Sequence, residues 1–179
     1  MVIFPIRNSS YWQLFITNQT LANSLLYEIY LIRMHLRQGK KEDKRWLYEL
    51  YRTTMRSYIE ETWGWDENFQ AKEFQINLLP EKFKIVIQDG ANIGAYLVKQ
   101  KENCMWIEML IIQPAMQNKG IGTNIIEMLK SEAKHSQQPI KLSVIKVNPA
   151  LEFYLRLGFK AYEEDSSFYK LEWTCNNEN

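Results

Sequence analysis

Two cysteines, Cys104 and Cys175, are too few for a disulfide framework, and with only His35 and His135 beside them no Cys/His cluster has the spacing of a zinc site. No metal is expected, and the compartment that this cysteine usage suggests is reducing, the cytoplasm. Charge of one sign is also scarce: 22 Lys+Arg stand against 21 Asp+Glu, a formal charge of +1. The broad positive field that holds nucleic acid or an anionic membrane is missing, so neither is an expected partner, and any anion has to be held locally. Long apolar runs are absent as well. The charge-free stretch from Asn8 to Tyr27 has the length of a bilayer span, but ten of its twenty residues are Asn, Gln, Ser or Thr. Hydrocarbon does not accept that composition, so no membrane span or signal peptide is expected.

What is present is the composition of one ordinary domain: 179 residues, 46% hydrophobic and 24% charged. The first 29 residues carry only Arg7 and Glu28, and charge becomes dense from Arg33 onward. Residues 1–29 therefore read as an extension of unknown role, either a helical appendage or a segment ahead of a start at Met34. Residues 30–174 read as the domain and 175–179 as a polar tail. A short alternation over Leu31–Leu36 predicts a strand, and Leu47, Leu50, Tyr51, Thr54 and Tyr58 recur at helical spacing. A second helix is predicted over Asp66–Leu78, ended by Pro80. Phe83–Gln88 and Ile93–Gln100, separated by Asp89, Gly90, Ala91 and Asn92, predict a hairpin, and Cys104–Gln113 a third strand closed by Pro114. An apolar face over Gly120–His135 followed by Ile140–Val144 predicts a helical crossover to a parallel strand. Asn148 with Pro149 starts a last helix striped by Ala150, Phe153, Tyr154 and Leu157, and Gly158 stops it. Phe159–Tyr162 and Phe168–Trp173 complete an α+β layout.

The most informative segment runs from Leu110 to Thr123, from strand through turn into helix. Gly120 and Gly122 let backbone approach a ligand, the unpaired amides of a helix start favour an anion, and Lys119 adds charge. A phosphate or diphosphate is the expected guest, although the Walker and Rossmann patterns are both absent. Tyr154, on an apolar stripe, is either a core tyrosine or a group aimed at a ligand. Glu108 is expected to share a strand face with Trp106, Leu110 and Ile112. Desolvated there, it would titrate in the range useful for a base; at a strand edge it would simply bond backbone. Asn148 can cap its helix with one oxygen and keep its amide donors free. Trp63 and Trp65, with Asp66 and Glu67 beside them, are either helix-end packing or an aromatic lip for a cationic acceptor.

The spacing Leu110-x-Ile112-x-Pro114-x-x-Gln117-x-x-Gly120-Ile121-Gly122, followed by Asn148-Pro149-Ala150 and Tyr154-x-x-x-Gly158-Phe159, resembles the GNAT superfamily of N-acetyltransferases. Trp63-Gly64-Trp65-Asp66-Glu67 resembles one bacterial branch of it with poorly defined acceptors. The likeness spans roughly Leu31–Trp173; the family often has Arg or Gly where this chain has Asn118 and Lys119. It implies an α+β acyl-CoA N-acyltransferase fold, a mixed, splayed sheet flanked by helices, with acetyl-CoA lying between the two parallel strands. The pantetheine would run along Leu110, Ile111 and Ile112, pairing with main-chain groups of Leu110 and Ile112. The diphosphate would meet amides of Gln117, Asn118, Lys119, Gly120, Ile121 and Gly122 and the Thr123 hydroxyl, and Asn148 would sit near the pantetheine arm. Tyr154 would serve the departing thiolate and Glu108, or a water it orders, would take the proton of a small-molecule or peptide amine attacking directly. A CoA-binding module without turnover is the rival reading. A monomer or homodimer is expected.

Overall fold

The computed structural model describes residues 34–175. The expected extension 1–29, the start of the strand predicted from Leu31 and the tail beyond Cys175 lie outside the described residues. The elements are β1 (Met34–Gln38), α1 (Lys44–Trp63), α2 (Glu67–Asn77), β2 (Lys84–Gln88), β3 (Ala91–Lys101), β4 (Cys104–Ile112), α3 (Ile121–Ser136), β5 (Ile140–Ile145), α4 (Ala150–Arg156), β6 (Lys160–Glu164) and β7 (Phe168–Trp173). They build one seven-stranded sheet in the order β1-β2-β3-β4-β5-β7-β6. Every neighbouring pair is antiparallel except β4–β5. That exception follows from the α3 crossover, since parallel strands need a long connection.

Local chemistry sets the boundaries. Leu47, Leu50, Tyr51 and Ile59 give α1 its buried stripe, and Gly64, at φ 82°, ends it by donating to Glu60 O. The Asp66 carboxylate accepts the Phe69 amide at 2.9 Å and caps α2. The β2–β3 turn is tighter than the predicted four residues. Asp89 and Gly90, at φ 50° and 78°, make a two-residue turn whose paired positive φ values match the twist of a hairpin, and Ala91 and Asn92 join β3. At the end of α4, Gly158 at φ 78° donates to Leu155 O and Phe159 to Tyr154 O, which satisfies the last helical carbonyls.

The sheet is covered on both faces. One face, with Met105, Ile107, Tyr96, Leu142 and Val144, packs against α3 and α4 through Ile121, Ile125, Leu129 and Tyr154. The other, with Ala95, Leu97, Ile111 and Ile145, packs against α1 and α2 through Leu50, Tyr51, Ile59 and Phe74. At one corner Arg37 of β1 grips Asp43 through two hydrogen bonds of 2.6 and 2.7 Å, and Asp43 also accepts the Lys40 amide. The Arg37 guanidinium holds this buried carboxyl below its ordinary value. A lowered folded value means that the stabilisation is complete above the unfolded value near 4 and is lost as pH falls through the folded one. Asp43→Asn is therefore expected to cost about 2 kcal/mol at pH 7, the range of charge-assisted hydrogen bonds. Urea unfolding of the two proteins should converge as the pH is lowered below 4; a gap that stays constant down to pH 3 would assign the loss to packing instead.

Candidate active site

The parallel pairing of β4 and β5 is short: Met105, Trp106 and Ile107 face Ile140, Lys141 and Leu142, and there it stops. Beyond Ile107 the strands part. The gap has polar walls because of the register of β4 on β3. Gln113 N–H donates to Ile93 O at 2.9 Å, and Ile111, Leu110 and Ile112 lie opposite Ala95, Tyr96 and Gly94. An antiparallel ladder alternates bonded and non-bonded pairs, so Ile111 bonds to β3 while the main-chain groups of Leu110 and Ile112 turn away from β3 into the gap. The Ile111 side chain belongs to the core under α1, so of the three residues expected along the pantetheine this one lies on the far side. One wall group is already engaged: Gln117 Nε2 donates to Ile112 O at 2.9 Å.

The register slips by one residue inside β4. Leu97 faces Met109 and Val98 faces Ile107, so Glu108 is an extra residue, opposite no residue of β3 and beyond the last pair with β5. This bulge reverses the alternation of side chains. Met105 and Ile107 share the α3 face with Leu110 and Ile112, while Met109 and Ile111 pack under α1. The expected common face for Trp106, Glu108, Leu110 and Ile112 therefore does not form. Glu108 stands neither in an apolar wall nor on backbone: its Oε1 is 3.1 Å from Lys99 Nζ. Lys99 follows Leu97 by two along β3, which places the pair on the α1 side of the sheet.

Tyr154 is on the opposite side. Its ring packs edge-on against Phe153 and Phe159 at 5.0 and 5.5 Å, and its hydroxyl has no hydrogen-bond partner among the described residues. Burial pushes that hydroxyl far above its ordinary titration range, so it stays protonated. Asn148 Oδ1 accepts the Ala150 amide at 2.9 Å, a bond that does not use the Asn148 amide donors.

The turn into α3 is shaped by two left-handed residues, Asn118 at φ 59° and Gly120 at φ 79°. Gly120 sits at the N-cap of α3, Lys119 is exposed, and Thr123 lies in the first turn. Gly122 also serves the packing of the two helices. A Cβ there would lie 3.1 Å from Phe153 Cζ and 3.5 Å from Ile112 Cδ1, so the missing side chain lets α4 seat against the start of α3.

The expected lip divides. Trp63 is 52% exposed and its ring lies 5.3 Å from Phe168, whose backbone pairs with Ile145 at the end of β5. Trp65 packs on Tyr51 at 6.1 Å, carries the Arg56 guanidinium 5.6 Å from its ring centre, and donates Nε1–H to Glu67 at 2.8 Å. Glu67 also accepts from the Tyr48 hydroxyl, and Asp66 is spent on its cap. Only Trp63 of the four offers an open ring. Sequence reasoning missed Lys99, Phe153 and Phe168; of these only Phe153 had a signal, its place on the predicted stripe. Two grooves of about 380 and 410 Å³, one at the start of α1 against Phe74 and one beside Lys134 and Thr174, lie away from the gap, which is singled out by its unpaired backbone rather than by size.

Residues 53–174 match the family model of the Acetyltransferase (GNAT) domain. No curated protein matches the chain. Among solved structures, the PaiA N-acetyltransferase from Thermoplasma acidophilum in complex with coenzyme A superposes with a TM-score of 0.66 at 20% identity, over 79% of this chain and 98% of that one. An acetyltransferase from Thermus thermophilus gives 0.63 at 14% identity, over 79% and 96%. The ribosomal-protein-S18-alanine N-acetyltransferase from Escherichia coli gives 0.57 at 15% identity, over 79% and 93%. At such identities the likeness is one of fold. The matched span covers more than half of the chain, which therefore belongs to the GNAT acetyltransferase family.

Proposed function

We propose that the chain transfers the acetyl group of acetyl-CoA to a primary amine by direct attack in a ternary complex. The observation that carries this reading is the gap itself, with Tyr154 in the core on the α3 side of the sheet and Glu108 on the α1 side. Leu110 and Ile112 main-chain groups would hold the pantetheine, with Gln117 releasing Ile112 O as it arrives. The amides of residues 117–122, the Thr123 hydroxyl and Lys119 would hold the diphosphate, and the Asn148 amide the pantetheine arm. Bound there, acetyl-CoA supplies the activated acyl group. The Ile112 amide faces the region where charge grows on the acyl oxygen, and the Tyr154 hydroxyl donates to the departing sulfur. The acceptor enters past Trp63 and Phe168, whose aromatic faces suit a cation with some apolar surface; Trp65, Asp66 and Glu67 hold that edge in shape. The structural relative that acts on a ribosomal-protein alanine makes a peptide amine one candidate beside a small molecule.

Glu108 takes the ammonium proton, directly or through water. At pH 7 deprotonating a lysine-type amine costs about 4.6 kcal/mol, against about 1 kcal/mol for an α-amine. Glu108 therefore matters most for strongly basic acceptors. Thiol release from acetyl-CoA with a panel of primary amines tests the activity. Glu108→Gln is expected to lower turnover with the best basic amine several-fold or more at pH 7 and to recover most of the deficit at pH 9. A deficit constant from pH 7 to 9 removes Glu108 from the mechanism.

A further inference from the structure

The bulge leaves Glu108 without a strand partner, yet its carboxylate is not alone. Lys99 reaches it from the adjacent strand at 3.1 Å, with side chains 38% and 30% exposed, so the pair is open to a ligand arriving on the α1 side. Two other lysines of the neighbouring strands are engaged with other groups. Lys101 lies 3.6 Å from the Trp106 ring centre, and Lys141 is 3.0 Å from Glu172. The cation at Glu108 is thus a primary ammonium on a flexible four-carbon stem, the same functional group as that of a basic acceptor, and it rests on the carboxylate assigned to meet that acceptor.

We propose that Lys99 is a placeholder for the acceptor ammonium: it occupies Glu108 in the free enzyme, swings into solvent when a cationic amine arrives, and returns once the amine has been acetylated. This inference rests on the reading of Glu108 as the acceptor-facing carboxylate. The exchange has a chemical direction. An ammonium can replace Lys99 on Glu108 because it offers the same charge and hydrogen bonds. The product amide carries no charge and donates a single weak hydrogen bond, so it does not hold Lys99 off. Lys99 thereby weakens binding of every cationic acceptor and leaves the neutral product unaided at the site. It is a positioning residue that sets specificity through Glu108, and it takes no part in proton or acyl transfer.

The test compares wild type, Lys99→Met and Lys99→Arg, each as full chain saturated with CoA. The probes in calorimetry are phenethylamine and its neutral acetylated product, N-phenethylacetamide. Lys99→Met is expected to bind the amine about threefold to fivefold more tightly, the scale of an exposed ion pair. Lys99→Arg should resemble wild type, and the amide should bind all three proteins alike. In turnover the same gain should appear in KM for the amine, with kcat changed less. Equal amine affinity in wild type and Lys99→Met, including no binding to either, overturns the proposal. So does a parallel change for amine and amide, which marks a structural effect. If Glu108→Gln keeps full turnover at pH 7 while Lys99→Met still tightens amine binding selectively, the placeholder stands and Glu108 is an ammonium site but not the base.

Discussion

Tyr154→Phe is expected to lower kcat about 100-fold, the low end of the general-acid range, with KM for acetyl-CoA little changed. The expectation rests on what the hydroxyl can and cannot do. Burial raises its titration well above the ordinary phenol. A coenzyme thiolate, with a pKa of about 8.5, is the weaker base by at least 1.5 units, so full proton transfer from the phenol is uphill by about 2 kcal/mol or more. A hydrogen bond to sulfur charge as it develops does not meet that barrier, and in a site shielded from water such a bond is strong. Removing one hydroxyl leaves the ring contacts with Phe153 and Phe159, so the melting temperature should barely move. The effect should also be flat from pH 7 to 9, because the hydroxyl stays protonated throughout. A variant that turns over at the wild-type rate would make Tyr154 a core residue and nothing more.

Gly120→Val should remove acetyl-CoA binding, by about 100-fold or more. Gly120 occupies the left-handed region at φ 79°, ψ −6°, where a branched side chain is strained, and Asn118 at φ 59° keeps the same turn tight from the other side. Relaxing that strain means re-aiming the amides between Gln117 and Gly122. Loss of two charge-assisted hydrogen bonds to the diphosphate, about 1.5–3 kcal/mol each, accounts for the magnitude. Gly120 lies in a partly exposed turn, so the fold should survive with a modest loss of stability. Calorimetry with CoA on the folded variant decides; an affinity within fivefold of wild type would mean that this turn is not the diphosphate site. Gly122 is the poorer probe, because a valine there presses on Phe153 and moves α4, which confounds lost binding with lost packing.

The parts of this architecture legible in the sequence are those specified by neighbours in the chain. Asn148-Pro149 and Gly158 bracket α4 because capping is a matter of a few consecutive residues, and the apolar face of α3 between two strands implied the one parallel pair. The glycine turn was readable for the same reason. The hidden parts depend on partners far apart in sequence. Counting by twos along Cys104–Ile112 puts Glu108 with Leu110 and Ile112, and nothing in those nine residues announces an unpaired one; only the register against β3 reveals it. Lys99 meets Glu108, and Phe168 meets Trp63, through the sheet and not through any local pattern. Trp65, Asp66 and Glu67 had the right chemistry for an acceptor, but composition alone did not show that a cap, an indole donor and a tyrosine hydroxyl already engage the two carboxylates.

The single unpaired residue at Glu108 also makes gain and loss of one residue in β4 unequal events. Upstream, Met105 and Ile107 are phased to the α3 core; downstream, Leu110 and Ile112 reach the same core only because one residue has been counted without being paired. Deleting Glu108 would leave a regular ladder with Leu110 and Ile112 still opposite Tyr96 and Gly94 and still on the α3 side, whereas one further residue taken into the ladder there would turn the last stretch of β4 over, sending its apolar residues to the wrong helix layer and its free amides back toward β3. Substitutions along this strand change one side chain at a time, whereas an added paired residue rewrites the whole half beyond the bulge. Lineages of this protein should therefore be able to lose the bulged residue, and with it the carboxylate, without refolding the strand, but should not gain a paired residue in β4.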